Sequence, residues 1–564
     1  MAGAVAIDTA GGMDFRRALG LRPSRSDIER FRALGAWRAE TPLDDLARWR
    51  QETPDSLAIV AHRAGSGVER LTYREYADYV DRFAGALYEL GVRPGRVVAL
   101  QLPNRWQVNA LVLACARIGA VVAPIMTTIR PHELERVLHR LGAAVCVTID
   151  RWAGFAHAAA LAKLAPRLPD LRHRVILGDG AAEDEINFCE FERPPWERAH
   201  ADALNRLTPD PDRIGLVLFT SGTSGEPKAA LHTLNSVHAA VANYADIFDH
   251  GPHDTFATSS PVCHAGGIIH ANLIPLLVGG TAVFMDVWEP ARAIELLAET
   301  GTTTLWGAPA AWAELVAELR QRPRPLPALR TGGAAGTAIL APLVADISEM
   351  FALTLHAAWG STEAGGTVTR PDDPPDWAAR SVGRPGPGVE IDLRGDGTIT
   401  ADSPGRVYLR GCQVCLATVG RDTGEVVVVT DHDDGWYDMG DLAVPDGRGG
   451  IRILGRATDR IGGSFMIPVA DVEAAVLTHP GVDEVAIVGY PDGNGGELVC
   501  AVITSRTTPP TLDDIRTYLD ERGMTQWYQP SRVEVVPELP HNETGKVRKE
   551  LLRRWLRSKA QLTT

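Results

Sequence analysis

The sequence predicts an α/β protein: a large N-terminal domain of layered αβ sheets with a β-rich subdomain, then a small, mobile α+β lid. Three observations carry that class. Apolar runs alternate with helix-period segments between Leu71 and Ile149, and again after Asp212, which is the rhythm of βαβ units building a parallel sheet. From about Pro385 the texture changes to short strands separated by Gly and Pro turns. Past Arg456 a short run of helices and strands closes the chain.

Taken in order, the opening forty residues are polar and Arg-rich and read as an arm lying on the main body. Thr72 and Glu75 make a capping box, and Tyr76, Val80, Phe83, Leu87 and Leu90 recur at helical spacing until Gly91. Residues 96–100 read as a strand, 107–118 as a helix and 120–123 as a strand. Pro131 opens a further helix to Arg140, and 144–149 is strand-like. After Asp212 come a strand ending at Phe219, a helix over 234–247 and a strand at 302–305. Residues 389–393, 405–409 and 425–430 form the strands of the β-rich subdomain. The lid holds helices over 469–478 and 512–522 and strands at 484–489, 498–504 and 533–536, with Thr511 and Gly523 capping the second helix. The division falls between residues 1–456 and 457–564.

A chain of 564 residues exceeds a single core, and 45% hydrophobic with 23% charged residues is ordinary for a globular protein. The formal net charge of −14 argues against nucleic acid or an anionic membrane as the main partner. Seven scattered cysteines, mostly in apolar runs, suit reduced thiols, and Cys412 and Cys415 form a lone CxxC without a second ligand pair. The first twenty residues have no continuous apolar stretch, so the expectation is a cytoplasmic enzyme.

The stretch Thr220–Lys228 reads TSGTSGEPK and follows the apolar run Leu216–Phe219. Its glycines let the backbone approach an oligophosphate, and successive N–H groups in such a turn make an anion nest. Thr220, Ser221, Gly222, Thr223, Ser224 and Gly225 supply donors, and Lys228 adds a point charge. A plain solvated loop has a similar composition. The pattern is not a P-loop, because Lys228 does not directly follow Gly225.

The nonapeptide resembles the signature loop of the adenylate-forming superfamily, which comprises acyl-CoA synthetases, nonribosomal adenylation domains and luciferases. Ala229 stands where that family usually has glycine. Further segments extend the resemblance over about residues 50–555. AAWGSTEAG, from Ala357 to Gly365, is similar to the YGxTE segment. The resemblance implies Glu363 as the Mg²⁺ ligand, Thr362 near the α-phosphate, and Trp359 with Gly360 at the adenine. DGWYDMGDLA, from Asp434 to Ala443, is similar to the W-x-x-T-G-D segment and implies that Asp441 grips the ribose hydroxyls, with Arg456 of the Gly455-Arg456 pair as a second ribose ligand. Gly332, Gly333 and Ala334 match a tight turn along the adenine and acyl sites. The tail PHNETGKVRK, from Pro540 to Lys549, resembles the element carrying the catalytic lysine and implies Lys546 between the substrate carboxylate and the α-phosphate.

PVCHAGG, from Pro261 to Gly267, resembles the P-x-x-H-x-x-G element of acyl synthetases and implies His264 at the junction of carboxylate and phosphates. No aspartate lies in that stretch to pair with an α-amine, so amino acids are not expected. Acyl-pocket walls would be His264, Trp306, Gly307, Gly332 and Ala334, and the many glycines and alanines imply room for a bulky, alicyclic, aryl or fatty acid. The hinge falls at Thr458 and Asp459, where the loop DRIGGSFMIP is shorter than the family's usual segment.

The implied reaction joins a carboxylic acid to MgATP, giving acyl-adenylate and pyrophosphate, and then transfers the acyl group to CoA. The rival stops at the adenylate and passes it to a carrier protein or companion ligase. A catalytically inactive nucleotide-binding regulator is the third alternative.

Overall fold

The capping box at Thr72 closes as expected: its hydroxyl accepts from Glu75 N at 3.2 Å, and Glu75 accepts from Thr72 N at 2.8 Å. The helix Tyr73–Glu89 starts there. In the computed structural model, residues 13–219, 228–401, 403–420, 423–457, 461, 467, 469–491, 497–522, 524, 528–542 and 545–558 are described.

Among the described residues the strands form two nine-stranded sheets, one four-stranded sheet and one three-stranded sheet. In the first large sheet Thr255–Thr258, Thr281–Met285, Thr304–Gly307, Thr331–Ala335 and Leu355–Ser361 run parallel. The second is built around Val97–Gln101, flanked in parallel by Val121–Pro124 and Val145–Ile149. Alternation within one strand divides the core: Val98 and Leu100 face one apolar cluster, Val97 and Ala99 another. The first cluster joins the inner faces of both large sheets through Tyr73–Glu89 and Trp106–Arg117. Trp106–Arg117 is buried on nearly every side, as expected of a helix apolar all round. Helices Pro290–Thr300, Pro309–Gln321 and Ala341–Phe351 cover the outer face of the first sheet. The result is a layered N-terminal domain with a smaller C-terminal one.

Most predicted elements stand within one or two residues of their expected bounds. One assignment differs. Val426–Val428 pairs with Ala417–Val419 on the edge of the second large sheet, not in the β-rich subdomain. That subdomain is the antiparallel set Val389–Arg394, Gly405–Gly411, Tyr437–Pro445 and Ile451–Arg456. The arm is anchored on the body: Trp37 Nε1 donates to Cys412 O at 2.9 Å, and Arg32 pairs with Asp212 at 2.6 Å. Thr511 closes a capping box with Asp514; Gly523 lies outside the described residues. No helix of the described residues is long and apolar enough to cross a membrane.

Candidate active site

In the first large sheet Thr255–Thr258 has parallel neighbours on both sides, reached by connections in opposite directions. Ligand crevices in open α/β sheets lie at the carboxyl ends of strands at such a switch point. The candidate residues collect there. His264 follows Thr258, Trp306 and Gly307 end Thr304–Gly307, Ala334 lies near the end of Thr331–Ala335, and Thr362 and Glu363 follow Leu355–Ser361.

Lys228 and Glu363, which the resemblance puts at the phosphates, are joined through a third element. Lys228 Nζ donates to the Tyr437 hydroxyl at 3.0 Å, and that hydroxyl donates to Glu363 Oε1 at 3.1 Å. Burial and then the Glu363 charge push the Tyr437 phenol up, so it stays protonated. Behind this bridge His232 Nε2 donates to Thr362 O at 2.7 Å, while Nδ1 faces the Ser236 hydroxyl at 2.9 Å. Burial lowers His232 to about 4, leaving a neutral ring that fixes the Thr362–Glu363 peptide. Thr220, Ser221, Gly222, Thr223, Ser224 and Gly225 lie outside the described residues, as do Thr458 and Asp459.

The proposed ribose end is an antiparallel strand pair. Asp441 and Arg456 are opposite one another on adjacent strands. Asp441 is 5% exposed; its Oδ1 lies 3.0 Å from Arg456 Nε and its Oδ2 accepts from Trp359 Nε1 at 3.0 Å. A carboxylate has further lone-pair sites for two hydroxyl donors.

The C-terminal tail reaches this crevice. Asn542 N donates to Lys546 O and Lys546 N to Asn542 Oδ1, both at 2.8 Å. His541 and Val547 close an antiparallel bridge around the turn, and Gly545 adopts φ +78°, a left-handed conformation that glycine takes without strain. Lys549 anchors the following helix to Glu473 at 2.6 Å. Lys546 is thereby brought close enough to Arg456, Asp441 and Glu363 for all three to act on its charge. Burial and then Arg456 lower its pKa, while Asp441 and Glu363 oppose. It also acts on His264, which burial and then Lys546 push down to about 4. His264 Nδ1 accepts from Gly266 N at 3.2 Å, so the neutral ring carries its proton on Nε2.

A family model for AMP-binding enzymes matches residues 46–417, and the model for their C-terminal domain matches residues 471–546. The chain belongs to the AMP-binding enzyme family. Among relatives, a Streptomyces salicylyl-CoA synthase / salicylate adenylyltransferase is 30% identical over 94% of this chain and 96% of its own length. A medium-chain fatty-acid–CoA ligase of Escherichia coli K12 is 27% identical over 93% and 92%. An anthranilate CoA ligase solved with anthranoyl-AMP shares the fold, with a TM-score of 0.80 at 23% identity over 92% of this chain and 97% of that one. This AMP-binding enzyme is an acyl-adenylate-forming ligase.

Sequence reasoning missed Tyr437 and His232. Tyr437, Met439 and Asp441 recur at every second residue of one strand, so alternation could have put Tyr437 on the side of Asp441. His232 carried no such signal, because its partner Thr362 is 130 residues away.

Proposed function

We propose that this enzyme condenses a carboxylic acid with ATP and then transfers the acyl group to CoA. In the first step a carboxylate oxygen attacks the α-phosphorus, the bond to the β-phosphate oxygen breaks, and pyrophosphate leaves. In the second the CoA sulfur attacks the acyl carbon, its proton is lost to solvent, and AMP leaves. What supports this reading most is that Lys546 lies within electrostatic reach of Arg456, Asp441, Glu363 and His264. A cation there offsets the negative charge that gathers as carboxylate and phosphate approach.

In this reading Lys228 and the loop 220–225 hold the β- and γ-phosphates. Asp441 and Arg456 hold the ribose, and Trp359, Gly360, Gly332 and Gly333 border the adenine. His264 donates from Nε2 toward the reacting carboxylate. Among the described residues no cluster of three His, Cys, Asp or Glu side chains forms a metal cage. A single hard carboxylate such as Glu363 fits Mg²⁺, which takes its other ligands from phosphates and water and neutralises phosphate charge. Residues 457–564 form a lid that swings about Thr458 and Asp459 between the two steps, withdrawing Lys546.

Transfer to a carrier protein is the second reading, favoured by the 29% identity to a salicyl-AMP ligase / salicyl-S-ArCP synthetase of Mycobacterium tuberculosis. Acid-dependent exchange of labelled pyrophosphate into ATP tests the first step. Adding CoA then separates the readings: acyl-CoA and AMP appear under the first, and an adenylate that persists beside CoA favours the second.

A further inference from the structure

The space opened by the glycines of the acyl crevice is already filled by the protein itself. Gly333 and Trp306 are paired neighbours on adjacent parallel strands. A Cβ on Gly333 would stand 2.4 Å from the six-membered ring of Trp306. At Gly332 the equivalent space holds Leu353 at 2.8 Å and Trp312 at 3.0 Å, and at Gly307 it holds the Ser259 hydroxyl at 2.4 Å. These missing side chains admit protein, not ligand.

The indole is fixed in place. His270 stacks on it at 4.7 Å with 10° between planes, and Tyr244 and Phe248 meet it edge-on at 5.1 and 5.8 Å. Only 3% of Trp306 is exposed. His264 caps the helix on which His270 follows six residues later, about 9 Å along at 1.5 Å per residue. That helix passes through a π turn at Ile269–Leu273, a feature frequent at functional sites. His270 is 8% exposed and its Nδ1 has no hydrogen-bond partner. A buried imidazole nitrogen left unpaired is costly, and a ligand group can supply what the protein does not.

We propose that Trp306 is the floor of the acyl pocket and His270 its polar anchor, selecting a compact, single-ring acid with a hydroxyl, amino or keto group at its far end. This rests on the reading of the chain as an acyl-adenylate-forming ligase. A long alkyl chain needs the depth that the indole occupies. An unsubstituted ring leaves the imidazole nitrogen unmatched, and sites built around a hydrogen bond reject analogues that lack it.

The test is pyrophosphate exchange with hydroxybenzoates and aminobenzoates, benzoate, octanoate and dodecanoate. Wild type should favour at least one substituted ring acid over benzoate, and over dodecanoate, by about tenfold or more in kcat/KM. Trp306→Ala should shift the preference toward octanoate and dodecanoate. Trp306→Leu serves the same purpose should the smaller residue fail to fold. His270→Phe should collapse the ratio of substituted to unsubstituted benzoate. A wild-type preference for dodecanoate, or ratios that neither substitution moves, overturns the inference and leaves the ligase reading intact. Exchange with none of these acids also overturns the inference; the ligase reading falls only if alicyclic and fused-ring acids support no exchange either.

Discussion

The Tyr437 hydroxyl lies 3.1 Å from Glu363 Oε1, and the same oxygen receives a hydrogen bond from Lys228 at 3.0 Å. One phenol thus links the cation expected at the triphosphate to the carboxylate expected at its metal, although it is 209 residues from the lysine and 74 from the glutamate. A protonated phenol can accept from one and donate to the other at once.

Tyr437→Phe removes that link while keeping the ring under Lys228. Hydrogen bonds to charged groups contribute about 1.5–3 kcal/mol, so the KM for MgATP should rise about tenfold or more. The KM for the acid should change little. Steady-state kinetics with each substrate varied in turn checks this; equal effects on both would mean a general loss of structure.

Lys546→Ala should reduce adenylation about 10²–10³-fold, the scale of deleting one preorganised electrostatic donor. In the proposed mechanism the residue acts in the first step only, so thioester formation from a supplied acyl-adenylate should survive. Pyrophosphate exchange close to wild type in this variant would falsify the assignment of Lys546.

Much of this arrangement could be read from the chain. Helix 73–89 was legible because its cap and its apolar spacing agree. Lys546, Asp441 and Glu363 each sit in a distinctive short segment, and the fold brings Asp441 and Glu363 within electrostatic reach of Lys546. The strand Thr331–Ala335 was not legible, since TGGAA carries none of the bulky residues that mark strands. The glycines there could not be interpreted either: Gly333 reads as open space until the neighbouring strand lays Trp306 across it. The strand expected at 425–430 lies in a different sheet, because local apolar pattern names a strand but not its partner.

Acid should destabilise the fold before it titrates most carboxylates. Burial lowers His157, His232, His264 and His356 to about 4, and His238 and His270 to about 3. Ordinary histidine titrates near 6.5, so between about pH 6.5 and pH 4 the unfolded chain binds protons that the native chain refuses. Stability therefore rises with pH across that window and is fully present above it. Thermal melts should show Tm falling steadily from pH 7 to pH 5, and His356→Phe should flatten the slope. A Tm constant over that range would show that these rings are not held neutral.

Asp441→Asn tests the ribose end. The carboxylate receives Trp359 on one oxygen and lies against Arg456 on the other. An amide keeps the shape but offers one acceptor oxygen in place of two and loses the charge. Arg456 is about half exposed, so water can solvate it and folding should suffer little. Nucleotide binding should suffer more, because two ribose hydroxyls would then compete with Trp359 for a single oxygen. At about 1.5–3 kcal/mol for charge-assisted bonds, kcat/KM for ATP should fall about 10–100-fold with Tm nearly unchanged. 2′-deoxy-ATP discriminates further: wild type should use it poorly, whereas the variant, with that contact weakened, should discriminate far less between it and ATP. A variant that still prefers ATP as strongly as wild type would move the ribose contact away from Asp441.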